Sequence, residues 1–357
     1  MAKTEMISDP SRAAARRASR GVLVAVAVAV AASPTLARAP LVLRSVGGVP
    51  AHLAGMFEEP LAFQQVPSGA YLVFDRRAHA VYRLDAARDR AEKVVDIGPE
   101  TGKVIGPTAF DSGPDGIFVV ADAPTGVERL QFFNLRGERV GGFDLPGRAA
   151  PRVVIGTLVL SGVGSLQFTG RSLLINQPET GGLITEYGLA GTPVRTIGQL
   201  RPTGQEADRD VHLALNAGLP LVNPQGGFYF VFLTGEPRFR RYDRSGTLLY
   251  ERIAQGAELD ALARSMPTRW PRRSIDGTTL PLVPPVVRAA AVDPLGRLWV
   301  SYIAPVTYVF DPDGELLTKV QFQAAGLLAP TSLSFPSRSR LLVTPGLYEF
   351  DPSAVGQ

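Results

Sequence analysis

The chain contains no cysteine. That excludes disulfides, thiolate metal sites, a cysteine nucleophile and a lipidated N-terminal cysteine. Histidine is scarce as well. His52, His79 and His212 stand far apart, with no partner pattern that would make a base or a metal ligand of one of them. No G-x-S-x-G elbow, H-E-x-x-H pair or phosphate-cradling G-x-x-x-x-G-K-[ST] loop occurs. Long hydrophobic runs are missing too. The apolar stretch at 21–32 is about 12 residues, short of the roughly 20 that a membrane-spanning helix needs.

Excess charge of either sign is confined to one end. The whole chain carries a formal charge of +4. Residues 1–39 hold six of its 37 basic side chains (Lys3, Arg12, Arg16, Arg17, Arg20, Arg38) and two of its 33 acidic ones, so the remainder is formally neutral. A nucleic-acid partner needs a clustered basic face on the folded domain, and none is expected here. The arginines before residue 21, the apolar run and the small-residue exit Ala37-Arg38-Ala39 together read as an export signal. Cleavage after Ala39 or Ala32 would deliver the mature chain to a periplasmic or extracellular location, with no transmembrane segment left in it.

Glycine (37 residues) and proline (30) are abundant, and they fall at regular intervals. An aromatic residue, two or three turn residues and a glycine recur as Phe133…Gly137, Tyr187…Gly191, Tyr242…Gly246 and Phe310…Gly314, with a truncated copy at Phe350-Asp-Pro-Ser. A period of about 40 to 50 residues means stacked copies of one unit. Between the turns lie short segments rich in β-branched and aromatic residues, the pattern of strands. The first unit predicts strands at 60–63, 70–74, 80–84 and 93–97. The second predicts 107–110, 117–120, 127–133 and 139–144. Three further units follow to residue 322. The last has only three strands, at 331–335, 340–343 and 347–350, and the missing one is available at 41–46. The expected fold is all-β: a six-bladed β-propeller of four-stranded antiparallel blades over 40–357, closed by an N-terminal strand that completes the last blade.

The second unit, Gly106-Pro107-Thr-Ala-Phe-Asp111 through Asp115-Gly-Ile-Phe-Val-Val-Ala-Asp122 to Phe133, resembles an NHL-type repeat of six-bladed propellers, in the broader TolB-like class. Val292-Asp293-Pro-Leu-Gly296-Arg-Leu-Trp-Val300 is similar but loses the later Asp. The resemblance implies a fold and leaves the substrate open, because propellers host many functions.

In such a fold the residues before each inner strand and after each second strand reach the mouth of the central channel. Here these are Glu59, Asp75, Asp122, Asn176, Arg288 and Tyr302. Six-bladed enzymes related to lactonases hold a divalent cation in the channel. By that comparison Glu59, Asp122 and Asn176 would be the oxygen donors for a hard cation such as calcium. Arg288 would repel it and favour an anion. Asp311-Pro-Asp313-Gly314-Glu315 lacks the later ligands of a calcium loop and reads as a hairpin turn, as do Asp111, Asp115 and Asp293. Two insertions, 199–218 and 255–285, interrupt the period and should crowd one mouth. The second carries a short helix and a basic cluster, Arg264, Arg269, Arg272 and Arg273, around Trp270, suited to an acidic or aromatic partner. The expected function is binding, as a monomer and without cofactor or catalytic residue, of a protein, peptide or small ligand. The alternative is a metal-dependent, lactonase-like hydrolase.

Overall fold

The computed structural model describes residues 39–146, 151–155, 158–161, 163–267, 269–275 and 278–356. The expected export segment lies outside the described residues up to position 38. Four antiparallel sheets of four strands each follow in chain order. The first is Pro60–Gln65, Tyr71–Asp75, Ala80–Leu84 and Ala91–Val95; the second is Ala109–Ser112, Phe118–Asp122, Arg129–Phe133 and Arg139–Asp144. The third is Leu166–Phe168, Ser172–Ile175, Gly182–Gly188 and Pro193–Gln199; the fourth is Gly218–Val222, Phe228–Phe232, Arg238–Tyr242 and Leu248–Ile253. The fold is an all-β propeller with four-stranded antiparallel blades.

The order of burial across each blade explains its strand sequences. Second strands such as Phe118–Asp122 and Phe228–Phe232 are buried at every position, because neighbouring blades cover both faces. They therefore read as continuous apolar runs without alternation. Outer strands such as Leu248–Ile253 are exposed or half-buried throughout. Aromatic rings fill the spaces between blades: Phe74 stacks on Phe110 at 5.3 Å, and Phe239 meets Phe310 at 4.7 Å.

The remaining large sheet has nine strands. One arm is Val287–Val292, Leu298–Tyr302, Thr307–Phe310 and Leu316–Gln323, the last also paired with the short Leu327–Leu328; the other is Ser332–Ser337, Arg340–Thr344 and Tyr348–Phe350. Leu41–Gly48 runs between them. Its first half, Leu41 to Arg44, pairs in parallel with Val320 to Gln323. After a register shift between Ser45 and Gly47, its second half pairs antiparallel with Tyr348–Phe350. The strand expected at 41–46 is thus longer, and it corrects the expectation in one respect. It covers the outer edge of the preceding arm as well as the unfinished last one, so two open edges are closed by one segment.

The innermost strands, Pro60–Gln65, Ala109–Ser112, Leu166–Phe168, Gly218–Val222, Val287–Val292 and Ser332–Ser337, lie side by side, and the last neighbours the first. They enclose a central channel. The recurrent glycine supports this ring from outside. Gly137 has φ +77°, and a Cβ there would fall 1.7 Å from the carbonyl oxygen of Val94 on the preceding blade's outer strand. Only glycine serves both the turn and the close approach. Gly314 repeats the device against Tyr250.

Three consecutive blade-to-blade connections are enlarged, one more than the sequence suggested. The hairpin Pro151–Ile155 with Leu158–Ser161 fills the link before the third blade. The expected insertion 199–218 folds partly into the helix Arg209–Ala214, N-capped by the Asp208 side chain on Val211. The insertion 255–285 forms the expected short helix, Ala257–Arg264, and the hairpin Arg272–Ile275 with Thr278–Pro281. The two hairpins lie against each other and against the Arg209–Ala214 helix, making one cap. No helix among the described residues is long and apolar enough to cross a membrane.

Candidate functional site

The channel is a cavity of about 1180 Å³ lined by all of the innermost strands. Its wall is largely Leu, Val, Ala and Pro with a scatter of Ser, Thr and Gln, and among the described residues it carries three charged side chains: Arg76, Arg288 and Asp111. Arg288, second residue of its strand, is exposed to the cavity. Its guanidinium makes no hydrogen bond or ion pair with any described residue. Arg76 is committed: its Nε donates to Glu59 Oε2 at 3.1 Å and its Nη2 to Oε1.

The residues expected at the mouth divide by this geometry. Arg288 lines the channel, and Glu59 is tied to its rim through Arg76. Asp75, Asp122, Asn176 and Tyr302 are buried and do not line it. Each of the first three tethers the chain entering an inner strand. Asp75 accepts from the backbone N–H groups of Glu58 at 2.7 Å and Glu59 at 3.0 Å. Asp122 accepts from Ile105 N–H at 3.0 Å, and its other oxygen takes a 2.9 Å bond from Arg129 Nε. Asn176 accepts from Gly218 N–H at 3.0 Å and donates to the Leu183 carbonyl at 2.8 Å. Tyr302 packs edge-on against Tyr308, and burial pushes its phenol up. Glu59, Asp122 and Asn176 therefore spend their oxygens on separate partners. Among the described residues no group of three His, Cys, Asp or Glu side chains comes together to hold a metal ion.

The basic cluster of the second insertion also divides. Trp270 packs on Val211, Ala214, Leu215 and Val283 inside the cap. Arg272 donates to Asp208 at 2.7 Å and lies 3.6 Å from Asp210, which ties the second hairpin to the helix. These two hold the cap together. Arg269 and Arg273 are exposed on its surface, and the Arg264 Nε donates to the Asp260 carbonyl at 3.2 Å. Asp311 accepts from the N–H groups of Asp313 and Glu315, both at 2.9 Å, closing its hairpin turn.

Asp111 and Asp293 do more than make turns. Asp111 belongs to a repeated clip in which an inner-strand side chain accepts a backbone N–H from the next blade. Gln64 takes Ser112 N–H at 3.0 Å, Asp111 takes Phe168 N–H at 2.7 Å, and Gln167 takes Val222 N–H. The Gln64 amide also donates to Asp111 at 2.8 Å. Asp111 keeps part of its surface in the channel, but its carboxyl sits deep in the ring. Loss of water pushes its pKa up from 3.8 to about 6, against the hydrogen bonds that lower it. The native state therefore holds this proton more tightly than the unfolded chain. Its contribution to stability is full below about pH 4 and is lost as pH rises through about 6. Asp111→Asn is expected to flatten the pH dependence of urea-unfolding stability across that window. An unchanged slope would show that Asp111 titrates normally.

Comparison with protein-family models and with curated proteins gives no match. Among solved structures, the chain is similar to a streptogramin B lyase, with a TM-score of 0.48 and 12% identity over 82% of this chain and 92% of that one. It is similar to virginiamycin B lyase from Staphylococcus aureus (TM-score 0.47, 11% identity, 81% and 78% covered). A gluconolactonase from Xanthomonas campestris is also similar (0.46, 13%, 87% and 96%). Scores this low say nothing of chemistry here, and the propeller stands on its own strand pairing.

Proposed function

We propose that this chain is an exported six-bladed propeller of the NHL type that binds a small anionic ligand in its channel. The count of six treats the two arms of the nine-stranded sheet as separate blades that share Leu41–Gly48. Support for it comes from the closed ring of inner strands. Export, with a periplasmic or extracellular destination, rests on the sequence of residues 1–39 alone.

The observation that carries the binding reading is Arg288, a cation without a partner among the described residues, facing a cavity of about 1180 Å³. A guanidinium there offers a forked set of donors that matches a carboxylate or phosphate. Titration calorimetry with a panel of small mono- and dicarboxylates tests this on the purified mature protein. Arg288→Gln is expected to weaken binding about tenfold to a hundredfold, the worth of a charge-assisted hydrogen bond. Failure of the wild type to bind any of them would sink the reading.

A lactonase-like hydrolase with a divalent cation such as calcium is the competing reading. Asp111 favours it, since a channel carboxyl titrating near 6 is suited to general acid or base work. A tightly retained divalent ion and hydrolysis that a chelator abolishes would establish it over simple binding.

A further inference from the structure

Two charged side chains of the channel wall without an ion pair, Arg288 and Asp111, stand at different depths. The inner strands all run the same way along the channel, since each is entered from the previous blade's outer strand. Ala291 lies five residues before the turn glycine Gly296, and Asp111 lies five before Gly116, so the two occupy the same level. Arg288 is three residues earlier on its strand than Ala291. Arg288 is the extra residue of a bulge between Val287 and Ala289, so at about 3.3 Å per regular step the Asp111 level lies two to three steps, roughly 7–10 Å, deeper along the channel than Arg288.

Among the described residues the deeper station lacks a counter-charge. The inner strand on one side faces Asp111 with Gln64, and the strand on the other side faces it with the Phe168 backbone and Gln167, none of them ionisable. Asp115, in the same hairpin, is an acid and turns its Oδ1 toward Ile117 N–H at 3.4 Å. The remaining cations of the wall, Arg76 and Arg288, belong to the other level. The Gln64 amide and the Phe168 N–H each reach one Asp111 oxygen, and a carboxylate oxygen can accept more than one hydrogen bond.

We propose that the channel is a two-station site for an elongated zwitterion, its anionic end held by Arg288 and its cationic end by Asp111. This rests on the channel-binding reading above and narrows its ligand class. A lone carboxylate would satisfy Arg288 and leave Asp111 desolvated. A lone amine would do the reverse. One elongated molecule bearing both charges at its ends compensates both, and the Leu, Val and Ala wall between them suits an apolar spacer. A cation beside Asp111 favours its ionised form, so binding below about pH 6 must release a proton.

The test uses the mature protein and a series of ω-amino carboxylates of increasing chain length, with the matching alkanoates and alkylamines as single-charge controls. Calorimetry in two buffers of different ionisation enthalpy reads affinity and proton release together. The expected result is an affinity maximum at one chain length, at least about tenfold above either control, a measurable step of about 1.4 kcal/mol. Asp111→Asn should reduce the zwitterion to the affinity of the alkanoate and abolish proton release. Arg288→Gln should reduce it to that of the alkylamine. If alkanoates bind as well as zwitterions and only Arg288→Gln matters, the two-station site is overturned while the anion-binding reading stands. If neither class binds the wild type, both fail. Circular dichroism and urea unfolding of Asp111→Asn show whether its loss of preference comes from misfolding. Retained Arg288-dependent alkanoate binding by that variant gives the same answer from the site itself.

Discussion

Asp293→Ala is expected to lower the unfolding free energy by about 3–5 kcal/mol, the cost of removing one partner from a buried ion pair. Asp293 is 1% exposed and receives four donors. Its Oδ1 takes the backbone N–H of Leu295 at 2.9 Å and of Arg297 at 3.0 Å. Its Oδ2 takes Arg297 Nε at 2.6 Å and the indole N–H of Trp299 at 3.0 Å. The alanine variant leaves a guanidinium and an indole N–H unpaired in the core, and Trp299 has no exposed surface at all. Arg297 also donates to the Val355 carbonyl, so the damage reaches the last described turn of the chain. Urea unfolding of the two proteins, followed by tryptophan fluorescence, measures the difference. A loss below about 1 kcal/mol at unchanged m-value would show that the turn tolerates the vacancy.

The second large effect is expected at the closing strand. Leu43 is buried against Val320, Phe322 and Phe350, so it packs on both arms of the nine-stranded sheet at once. Leu43→Ala is expected to cost about 2–5 kcal/mol as a core truncation. Removing the segment up to Gly48 should cost more, because it also exposes the edges of Leu316–Gln323 and Tyr348–Phe350 as templates for pairing between chains. The truncated protein is expected to show a lower melting temperature and concentration-dependent association in size-exclusion chromatography. A truncated chain that stays monodisperse with the melting temperature of the full one would mean that the strand is an ornament on an already closed ring.

The blades were legible because their signals are local. Phe118-Val-Val-Ala-Asp122 is a strand by composition, Asp311-Pro-Asp-Gly314 is a turn by backbone preference, and the spacing between them repeats. The enlarged link with Pro151–Ile155 escaped notice because its strand-like residues sit between two well-formed units, with no turn glycine of the repeated phrase to mark them. Asp111 escaped for a different reason. In Asp111-Ser-Gly-Pro-Asp115-Gly116 an acid is what hairpin chemistry favours, and nothing local shows that the first acid turns toward the next blade. Asp122, Asn176 and Tyr302 were expected at the channel because they follow second strands. They turn back to fill their own blade or to tether the chain entering an inner strand, Asn176 that of the next blade, as side chains at a strand end do when an unpaired backbone N–H lies within reach.

The sequence by itself determined the all-β repeat, the turn positions, and the existence of a strand early in the chain able to complete the last sheet. Periodicity and turn preference act over a few residues, so they survive without knowledge of neighbours. Only the tertiary structure decided which polar groups face the channel and which are consumed within and between blades. That choice depends on strand register and on what the neighbouring strand presents, as Asp122 beside Arg129 and Arg288 beside open cavity illustrate.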